Sequence, residues 1–359
     1  MSDILTTLFS CPQFSLAPTE RDALLLRGLS ELTAHHVERS REYRGMLHAL
    51  FRTTSPATTL SDLPYLPVTL FKKLELSSIA PSDVFKTLRS SGTTGSVPSR
   101  IVLDRETARL QALGLKNIMS SLLGPKRLPM LIVDSEEITL STGEHSARAA
   151  GVIGMMNFGR DHLFALDREE SLKHQQVREW LSKYHNESIF VFGFTAIVWH
   201  RFLTQIGTLE PRSAPTILVH GGGWKKLTHS AVSPGRFRAQ ARHVLGDTRV
   251  HDYYGMVEQV GSIYVECSEG FLHTPNFATV LVRDYRTLAP LPPHQEGLVQ
   301  VLSLLPRSYP GHSILTEDIG IIEGLDECPC GRRGPYFSVK GRIARAELRG
   351  CSDTANVGQ

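Results

Sequence analysis

Apolar residues recur at helical spacing near the start of the chain, at Leu25, Leu29, Leu32 and Leu50. This pattern predicts a long helical stretch that extends to Phe51. Thr19 is followed three positions later by Asp22, an arrangement typical of a helix cap. The Pro-, Ser- and Thr-rich segment 53–67 then predicts a surface connection.

Short apolar, β-branched runs bounded by turn residues predict strands at 131–133, 189–192, 217–219 and 280–282. Between the first two of them, segment 167–186 carries a helical apolar stripe that includes Leu172, Val177 and Leu181. Alternation of strands with helices predicts an α/β fold built on a mixed sheet. Beyond Val280, further runs at 297–302 and 319–322 predict a small antiparallel or barrel-like subdomain.

We therefore expect three parts: an α/β core over 1–277 with a helical N-terminal segment, a β-rich subdomain over 278–350, and a short tail over 351–359. The 39 basic residues nearly balance the 36 acidic ones, so the charge indicates no nucleic-acid partner. Basic pairs such as Lys72-Lys73 are typical of solvated faces or local phosphate contacts. Because no apolar stretch approaches the roughly 20 residues of a membrane span and the N-terminus lacks signal-peptide features, we expect a cytoplasmic protein.

The segment from Ser90 to Ser96 reads Ser-Ser-Gly-Thr-Thr-Gly-Ser and is the first candidate for chemistry. Small hydroxyl residues around two glycines let backbone N–H groups and side-chain hydroxyls converge on phosphate oxygens. An ordinary Ser/Gly turn has the same composition. The segment lacks the Gly-Lys-Ser/Thr of a Walker loop.

Further motifs follow this loop in a fixed order. Gly221-Gly222-Gly223 comes after a predicted strand, Tyr254-Gly255-Met256-Val257-Glu258 follows it, and Thr316-Glu317-Asp318 and Gly341-Arg342 come last. The set resembles the adenylate-forming superfamily, which includes acyl-CoA synthetases and firefly luciferase. Within it, the chain is most similar to the LuxE-type acyl-protein synthetases of bacterial luminescence, over residues 1–351.

The resemblance implies an adenylate-forming fold with a large N-terminal domain of mixed sheets and a small β-rich subdomain, without the usual full C-terminal lid domain. It also implies the cofactors ATP and Mg²⁺ and a set of nucleotide-binding residues, with Thr94 and Glu258 in catalytic roles. That set comprises Ser90, Ser91, Gly92, Thr93, Thr94, Gly95, Gly221, Gly222, Gly223, Tyr254, Gly255, Glu258, Asp318 and Arg342.

Individual roles follow from matching motif positions. The loop from Ser91 to Gly95 is expected to hold the ATP phosphates, the Tyr254 ring to stack on adenine, and Asp318 to accept hydrogen bonds from the ribose. Glu258 matches the magnesium-associated carboxylate. Phe192 and Phe194 match the border of the acyl pocket, although aromatic residues on a strand are commonly plain core.

Four residues are suited to zinc: Cys267, His273, Cys328 and Cys330. Three thiolates and one imidazole match a closed tetrahedral site, and Cys328-Pro-Cys330-Gly331 resembles a segment of phenylacetate-CoA ligase relatives. Buried free cysteines beside a surface histidine are the alternative. We predict a structural Zn²⁺.

Cys351 lies near the C-terminus, where the acyl-protein synthetases have a cysteine that carries the acyl group. The expected reaction is activation of a fatty or aromatic acid as acyl-AMP, followed by transfer to Cys351 or to the thiol of an acyl carrier protein or acyl reductase. Two expected departures from the superfamily bear on this reaction: we expect no C-terminal domain with its catalytic lysine after Arg342, and Ser99-Arg100 stands where a lysine is expected. An aryl- or acyl-CoA ligase of the phenylacetate type and a non-catalytic nucleotide-binding subunit remain as alternatives.

Overall fold

A computed structural model describes residues 3–51, 56–90, 98–140, 145–224 and 231–343. Its α-helices are α1 (Asp3–Ser10), α2 (Pro18–Arg39), α3 (Arg41–Leu50), α4 (Leu70–Lys73), α5 (Arg105–Leu123), α6 (Glu137–Leu140), α7 (Ala147–Met156), α8 (His174–Lys183), α9 (Thr195–Ile197) and α10 (Pro234–Leu245). None of the helices in this part of the chain combines the length and the apolar character that crossing a bilayer requires.

The strands are β1 (Leu66–Pro67), β2 (Lys86–Arg89), β3 (Arg100–Leu103), β4 (Leu128–Ser135), β5 (His145–Ser146), β6 (Gly159–Leu166), β7 (Ile189–Phe194), β8 (Thr216–Gly221), β9 (Thr248–Tyr254), β10 (Tyr264–Glu266), β11 (Leu272–His273), β12 (Ala278–Arg283), β13 (Glu296–Ser303), β14 (Ser313–Leu325) and β15 (Pro335–Arg342). Every run that the sequence indicated as a strand lies in one of them.

One large mixed sheet organises the chain, in the order β12-β13-β14-β15-β11-β10-β9-β8-β7-β4-β6, and β1 pairs with β14 beside this path. Strands β9, β8, β7, β4 and β6 are parallel. The remaining strands along the path are antiparallel. A second, three-stranded sheet has the order β3-β2-β5. The predicted mixed α/β architecture is thereby observed, whereas the division of the chain at residue 278 stays a prediction.

The parallel strands are buried on both faces. In β4, Met130 and Ile132 belong to one hydrophobic core, whereas Leu131 and Val133 belong to another on the opposite face. Helix α5 supplies side chains to the first core and α10 to the second. Because successive side chains of a strand point to opposite faces, continuous apolar runs are required here.

Three expectations about helices were wrong. Helix α2 begins at Pro18 with Ala17 as its N-cap, so Thr19 does not cap it, because Pro18 already provides a favourable first helical position. The helical stretch also breaks at Ser40, whose hydroxyl accepts a hydrogen bond from the Tyr43 amide and caps α3. The stripe in 167–186 becomes helical only at His174, since Leu172 forms a β-bridge with Leu166.

Helices α2 and α3 are joined to the loop before β14 by a buried histidine pair. The rings of His36 and His312 stack with their centroids 4.9 Å apart. His312 Nε2 lies 3.0 Å from the Thr33 hydroxyl, and His36 Nδ1 lies 2.8 Å from the Ser78 hydroxyl. Burial lowers the pKa of His312 to about 3 and holds that of His36 well below its usual value. Both rings are therefore neutral at physiological pH.

Acid is expected to destabilise this junction. Because the pKa of His312 is lower in the folded protein than in the unfolded chain, the unfolded chain binds the extra proton below about pH 6.5. Stability is then full above that pH and falls as the pH decreases towards 3, by up to about 1.4 kcal/mol per pH unit for one group. His312→Phe should lose this contribution, so its free energy of unfolding should change less than that of the wild type between pH 7.5 and 5.5 in urea titrations. His174→Gln, at an exposed position, is the control. Equal pH dependence in His312→Phe and wild type would contradict the assignment.

Candidate nucleotide site and metal cluster

Three of the predicted nucleotide-binding residues, on strands β9, β14 and β15, are joined by hydrogen bonds. The hydroxyl of Tyr254, the last residue of β9, donates to Asp318 Oδ2 at 2.6 Å. Arg342 lies opposite Asp318 in the β14–β15 ladder, and its Nε donates to Oδ1 at 2.9 Å. The Asp318 side chain is only 9% exposed. Each carboxylate oxygen accepts one of these bonds and retains a lone pair for a further donor.

The electrostatics of the cluster favour a protonated tyrosine. Burial, followed by the neighbouring Asp318 charge, raises the pKa of Tyr254 well above its usual value. Tyr254 therefore remains a hydrogen-bond donor over the physiological range. Glu258 lies in the turn after β9 and is buried, and this burial raises the pKa of its carboxyl, which the charges of Lys72 and Arg342 partly oppose.

The glycine turn lies next to this cluster because β8 and β9 are parallel neighbours. Gly221 pairs with Tyr253, and a Cβ at Gly221 would lie 2.5 Å from the Tyr253 ring. Gly222 has φ = 80°, and a Cβ there would lie 2.8 Å from the Phe194 ring. The backbone at Gly221 and Gly222 therefore lies so close to aromatic rings that only glycine fits there. Gly223 completes the turn.

The aromatic segment of β7 lies beside the glycine turn. The Phe192 ring stacks near Tyr253 at 6.3 Å and meets Phe194 edge-on at 6.0 Å. Phe192 is fully buried, whereas Phe194 is only partly buried. Phe194 thus borders accessible space, and Phe192 is also part of the core.

Asp252 is a residue of this region that the sequence analysis missed. Its side chain keeps 47% of its exposure, yet the surrounding protein and then the charge of Glu266 raise its pKa to about 7. His220 Nδ1, at the end of β8, lies 3.4 Å from Asp252 Oδ1. In the sequence, the only indication that Asp252 belongs to this region was its position two residues before Tyr254.

Several predicted residues fall outside the described part of the chain. They are Ser91, Gly92, Thr93, Thr94 and Gly95 of the phosphate loop, and Cys351. The loop is framed by Ser90, whose hydroxyl accepts a hydrogen bond from the Ser99 amide at 2.8 Å. Gly255 follows Tyr254 and packs against Ile263, 3.1 Å from where its Cβ would be.

Lys72 approaches the site from α4. Its Nζ lies 4.0 Å from Glu317 Oε2, one residue before Asp318, and its charge acts on Glu258. A cavity of about 230 Å³ opens beside it and is lined by Phe71, Lys72, Lys73, Leu74, Glu75, Arg89, Pro98 and Arg100. The sequence offered local phosphate contact as one interpretation of the Lys72-Lys73 pair, but its proximity to Glu258 depends on the fold.

The four candidate zinc ligands come together. Their ligand atoms all lie within 4.8 Å of one another. Cys267 Sγ and Cys328 Sγ are 3.8 Å apart, and Cys330 Sγ lies 3.4 Å from His273 Nε2. Tetrahedral zinc with Zn–S bonds of about 2.3 Å places neighbouring sulfurs about 3.8 Å apart. The number, type and spacing of these donors therefore fit one zinc ion.

The surroundings of the cluster hold its ligands in place. The Arg332 amide points to Cys330 Sγ at 3.5 Å, and the Tyr336 ring stacks on His273. The Arg332 guanidinium lies over the Phe14 ring and donates to the Val265 carbonyl at 3.1 Å. Three thiolates and one Zn²⁺ would together carry a net charge of −1. The positive charge of Arg332 lies near this group and would offset it. The cluster thus connects the N-terminal segment with β10, β11 and β15.

Two known ligases are similar to this chain over most of its length. The long-chain-fatty-acid–luciferin-component ligase of Aliivibrio fischeri is 23% identical and covers 90% of this chain and 85% of its own length. The ligase of the same name from Vibrio harveyi is 21% identical and covers 93% and 87%, respectively.

Solved structures of 2-hydroxyisobutyryl-CoA ligase share the fold. Its complex with 2-HIB-AMP and CoA in the thioesterification state gives a TM-score of 0.71 at 19% identity, covering 92% of this chain and 70% of that one. An open conformation gives 0.68 at 18% identity, covering 94% and 78%. These similarities confirm the predicted adenylate-forming fold.

A family model described as acyl-protein synthetase, LuxE, matches residues 1–358. Since the match extends over nearly the whole chain, the family follows without reliance on any one motif, and the prediction of an acid–thiol ligase is confirmed with it. This chain belongs to the LuxE family of acyl-protein synthetases.

Proposed function

We propose that this protein activates a carboxylic acid with ATP as an acyl adenylate, releases pyrophosphate, and transfers the acyl group to a thiol. The observation that carries the proposal is the hydrogen-bonded cluster of Tyr254, Asp318 and Arg342 beside the glycine turn. A flat aromatic face, a buried carboxylate and exposed backbone suit a nucleoside. The acid is fatty or aromatic, and the names of the relatives favour a fatty acid.

The nucleoside half of ATP is assigned to the cluster of Tyr254, Asp318 and Arg342 and to the adjacent glycine turn. Tyr254 offers its ring face to adenine, with Gly221, Gly222 and Gly223 supplying close backbone on the other side. The lone pairs left on Asp318 accept the ribose hydroxyls, and Arg342 holds the carboxylate towards them. Asp318 therefore acts as the acceptor that fixes the sugar.

The phosphate half is assigned to the loop from Ser90 to Gly95 and to Lys72, because the cavity beside Lys72 is lined by Arg89 and Pro98, which flank the loop in sequence. Glu258 is the carboxylate that would hold Mg²⁺, an ion that prefers oxygen ligands and neutralises phosphate charge. Lys72 and Arg342 supply positive charge to the same region. Leaving pyrophosphate is thus met by positive groups that are already in place.

The acyl acceptor is assigned first to Cys351. A thiolate displaces AMP from the acyl adenylate, forming a thioester bond as the C–O bond to phosphate breaks. An acyl carrier protein or an acyl reductase is the proposed subsequent partner. CoA is the alternative acceptor, since the structural relatives include a CoA ligase crystallised with CoA.

A structural Zn²⁺ is proposed for Cys267, His273, Cys328 and Cys330. Four protein donors complete the tetrahedron, so the metal has no open position for a substrate. We also propose a cytoplasmic location. Five cysteines in a chain of this length are too few for the disulfide framework of a secreted protein.

The proposal is tested by carboxylate-dependent ATP–pyrophosphate exchange across fatty and aromatic acids, followed by intact-mass measurement. Wild type is expected to catalyse exchange and to gain the mass of one molecule of the acid less one water. Cys351→Ala should retain exchange and lose the adduct, because only the acceptor thiol is removed. Cys11→Ala, which removes a thiol elsewhere, should keep both.

The outcomes separate the alternatives. Exchange without an adduct on any variant would move the acceptor to CoA or a carrier protein. Nucleotide binding without exchange for any acid would support the non-catalytic subunit and overturn the enzymatic proposal.

A further inference from the structure

Tyr309 lies directly behind Glu258, in the loop that joins β13 to β14. The side chain is fully buried, and its hydroxyl donates to the backbone carbonyl oxygen of Glu258 at 2.8 Å. On another side, its ring meets the Phe71 ring edge-on, with centroids 6.4 Å apart. Phe71 is the neighbour of Lys72 in α4. One tyrosine therefore contacts both the Glu258 turn and the helix that carries Lys72.

The Glu258 turn is short and relies on this loop for support. It consists of the 3₁₀ turn Val257–Gln259. The Gln259 side-chain amide donates to the carbonyls of Gly311, at 2.8 Å, and Val301, at 3.1 Å. A Cβ at Gly311 would lie 2.7 Å from the Glu258 carbonyl oxygen. The loop and the turn are thus in direct backbone contact.

The opposite side of the loop is anchored in the body of the protein. The Ser308 amide donates to Thr107 Oγ1 at 3.1 Å, and its hydroxyl donates to the Val102 carbonyl at 2.8 Å. Its own carbonyl accepts a hydrogen bond from the Ser78 amide at 2.8 Å. His312, which follows Gly311, belongs to the buried histidine pair. The loop is therefore a fixed support rather than a part that moves with Glu258.

The charged side chains of Lys72 and Glu258, which lie near this loop, have to be held at a fixed distance from each other. Lys72 Nζ lies 4.0 Å from Glu317 Oε2, and its positive charge opposes the rise in the pKa of Glu258. The Lys72 side chain is partly buried and extends from a four-residue helix, and the Phe71–Tyr309 contact holds that helix in place. The distance between the Glu258 carboxylate and Lys72 thus depends on Tyr309.

We infer that Tyr309 is a positioning residue, which fixes the Glu258 carboxylate and Lys72 relative to each other and so sets the affinity of the site for a divalent cation with ATP. The inference rests on the proposed role of Glu258 in the adenylation reaction. Loss of the hydroxyl frees the Glu258 carbonyl while the ring contact with Phe71 remains.

The test is Tyr309→Phe, with two measurements. The Mg²⁺ concentration that half-saturates pyrophosphate exchange is expected to rise about fivefold, the scale of one buried hydrogen bond. Mn²⁺ binding in the presence of α,β-methylene-ATP, followed by electron paramagnetic resonance, should weaken by a similar factor. The melting temperature should change by no more than about 3 °C, since a single neutral hydrogen bond is lost.

Tyr264→Phe is the matched control. Tyr264 is equally buried, and its hydroxyl donates to a backbone carbonyl, that of Thr279, at 3.4 Å. It should leave both metal measurements within twofold of wild type. Equal shifts in the two variants, or a shift below twofold in Tyr309→Phe, would overturn the inference. Absence of exchange in wild type would refute the proposed function instead, and the Mn²⁺ measurement would still decide the role of Tyr309.

Discussion

Asp318→Ala is expected to lower carboxylate-dependent ATP–pyrophosphate exchange by at least about 100-fold, because the substitution removes the acceptor of two hydrogen bonds at once. Tyr254 and Arg342 both donate to this carboxylate. Hydrogen bonds to a charged group contribute about 1.5–3 kcal/mol each, and the ribose contacts proposed for the remaining lone pairs would be lost as well. The measurement is the exchange rate as a function of ATP concentration.

The loss should fall mainly on nucleotide affinity. Without its acceptor, the Tyr254 hydroxyl no longer fixes the ring on which adenine is proposed to stack. Arg342, 72% exposed, turns to solvent at little cost. We therefore expect the KM for ATP to rise more than kcat falls. Asp318→Asn, which keeps one acceptor for Tyr254 but removes the charge, should lie between Ala and wild type.

Asp326→Asn provides a matched control for Asp318→Asn. Asp326 follows the end of β14, and its Oδ1 accepts a hydrogen bond from the Gly334 amide at 2.6 Å. It lies at the opposite end of the β14–β15 hairpin from Asp318, so its loss tests the hairpin and not the nucleotide site. Exchange should stay within twofold of wild type. Exchange by folded Asp318→Ala within threefold of wild type would rule out the assigned role.

Much of the fold was accessible from the sequence because the parallel strands are buried on both faces. Such strands are continuous apolar runs, and the runs at β4, β7 and β8 stand out between polar segments. The LuxE-type resemblance was found from short motifs at strand ends, where backbone geometry restricts the choice of residue. Gly221 and Gly222 illustrate this, since aromatic rings fill the space that any side chain there would need.

The supports of the site were not predictable in the same way. Tyr309 and Glu258 are 51 positions apart, and Thr33 and His312 are 279 apart. Tertiary packing alone brings them into contact, and a buried tyrosine or histidine has no local pattern that distinguishes it from ordinary core. Lys72 was noticed only as one of a basic pair. Its place near Glu317 and Glu258 follows from the pairing of β1 with β14, which brings α4 to the site.

The metal ligands are an intermediate case. Cys267 and His273 lie close in sequence, as do Cys328 and Cys330, and each pair suggests half of a site. Their union depends on β10, β11 and β15 being neighbours in the sheet. The chemistry of the side chains restricted the choice of partners, because three thiolates and an imidazole have few common uses besides zinc.

Cys328→Ser is expected to abolish zinc binding and to lower the apparent melting temperature by on the order of 10 °C, since loss of a structural metal is among the few single changes that cost more than about 4 kcal/mol. Wild type purified without chelator should contain about one zinc per chain by elemental mass spectrometry, as a single four-donor cluster requires. Three strands, β10, β11 and β15, and the N-terminal segment meet at the cluster, so the lost stability should be shared by all of them.

Cys11→Ser is the control for loss of a thiol outside the cluster, and it should keep both the zinc and the melting temperature of wild type. The exchange reaction distinguishes a structural metal from a catalytic one. At 15 °C, where Cys328→Ser is still expected to be folded, exchange should stay within about tenfold of wild type, because a closed four-ligand site offers no position to a substrate. If a folded, zinc-free variant loses exchange, the metal takes part in the reaction. If purified wild type contains no zinc, the proposed zinc site is wrong.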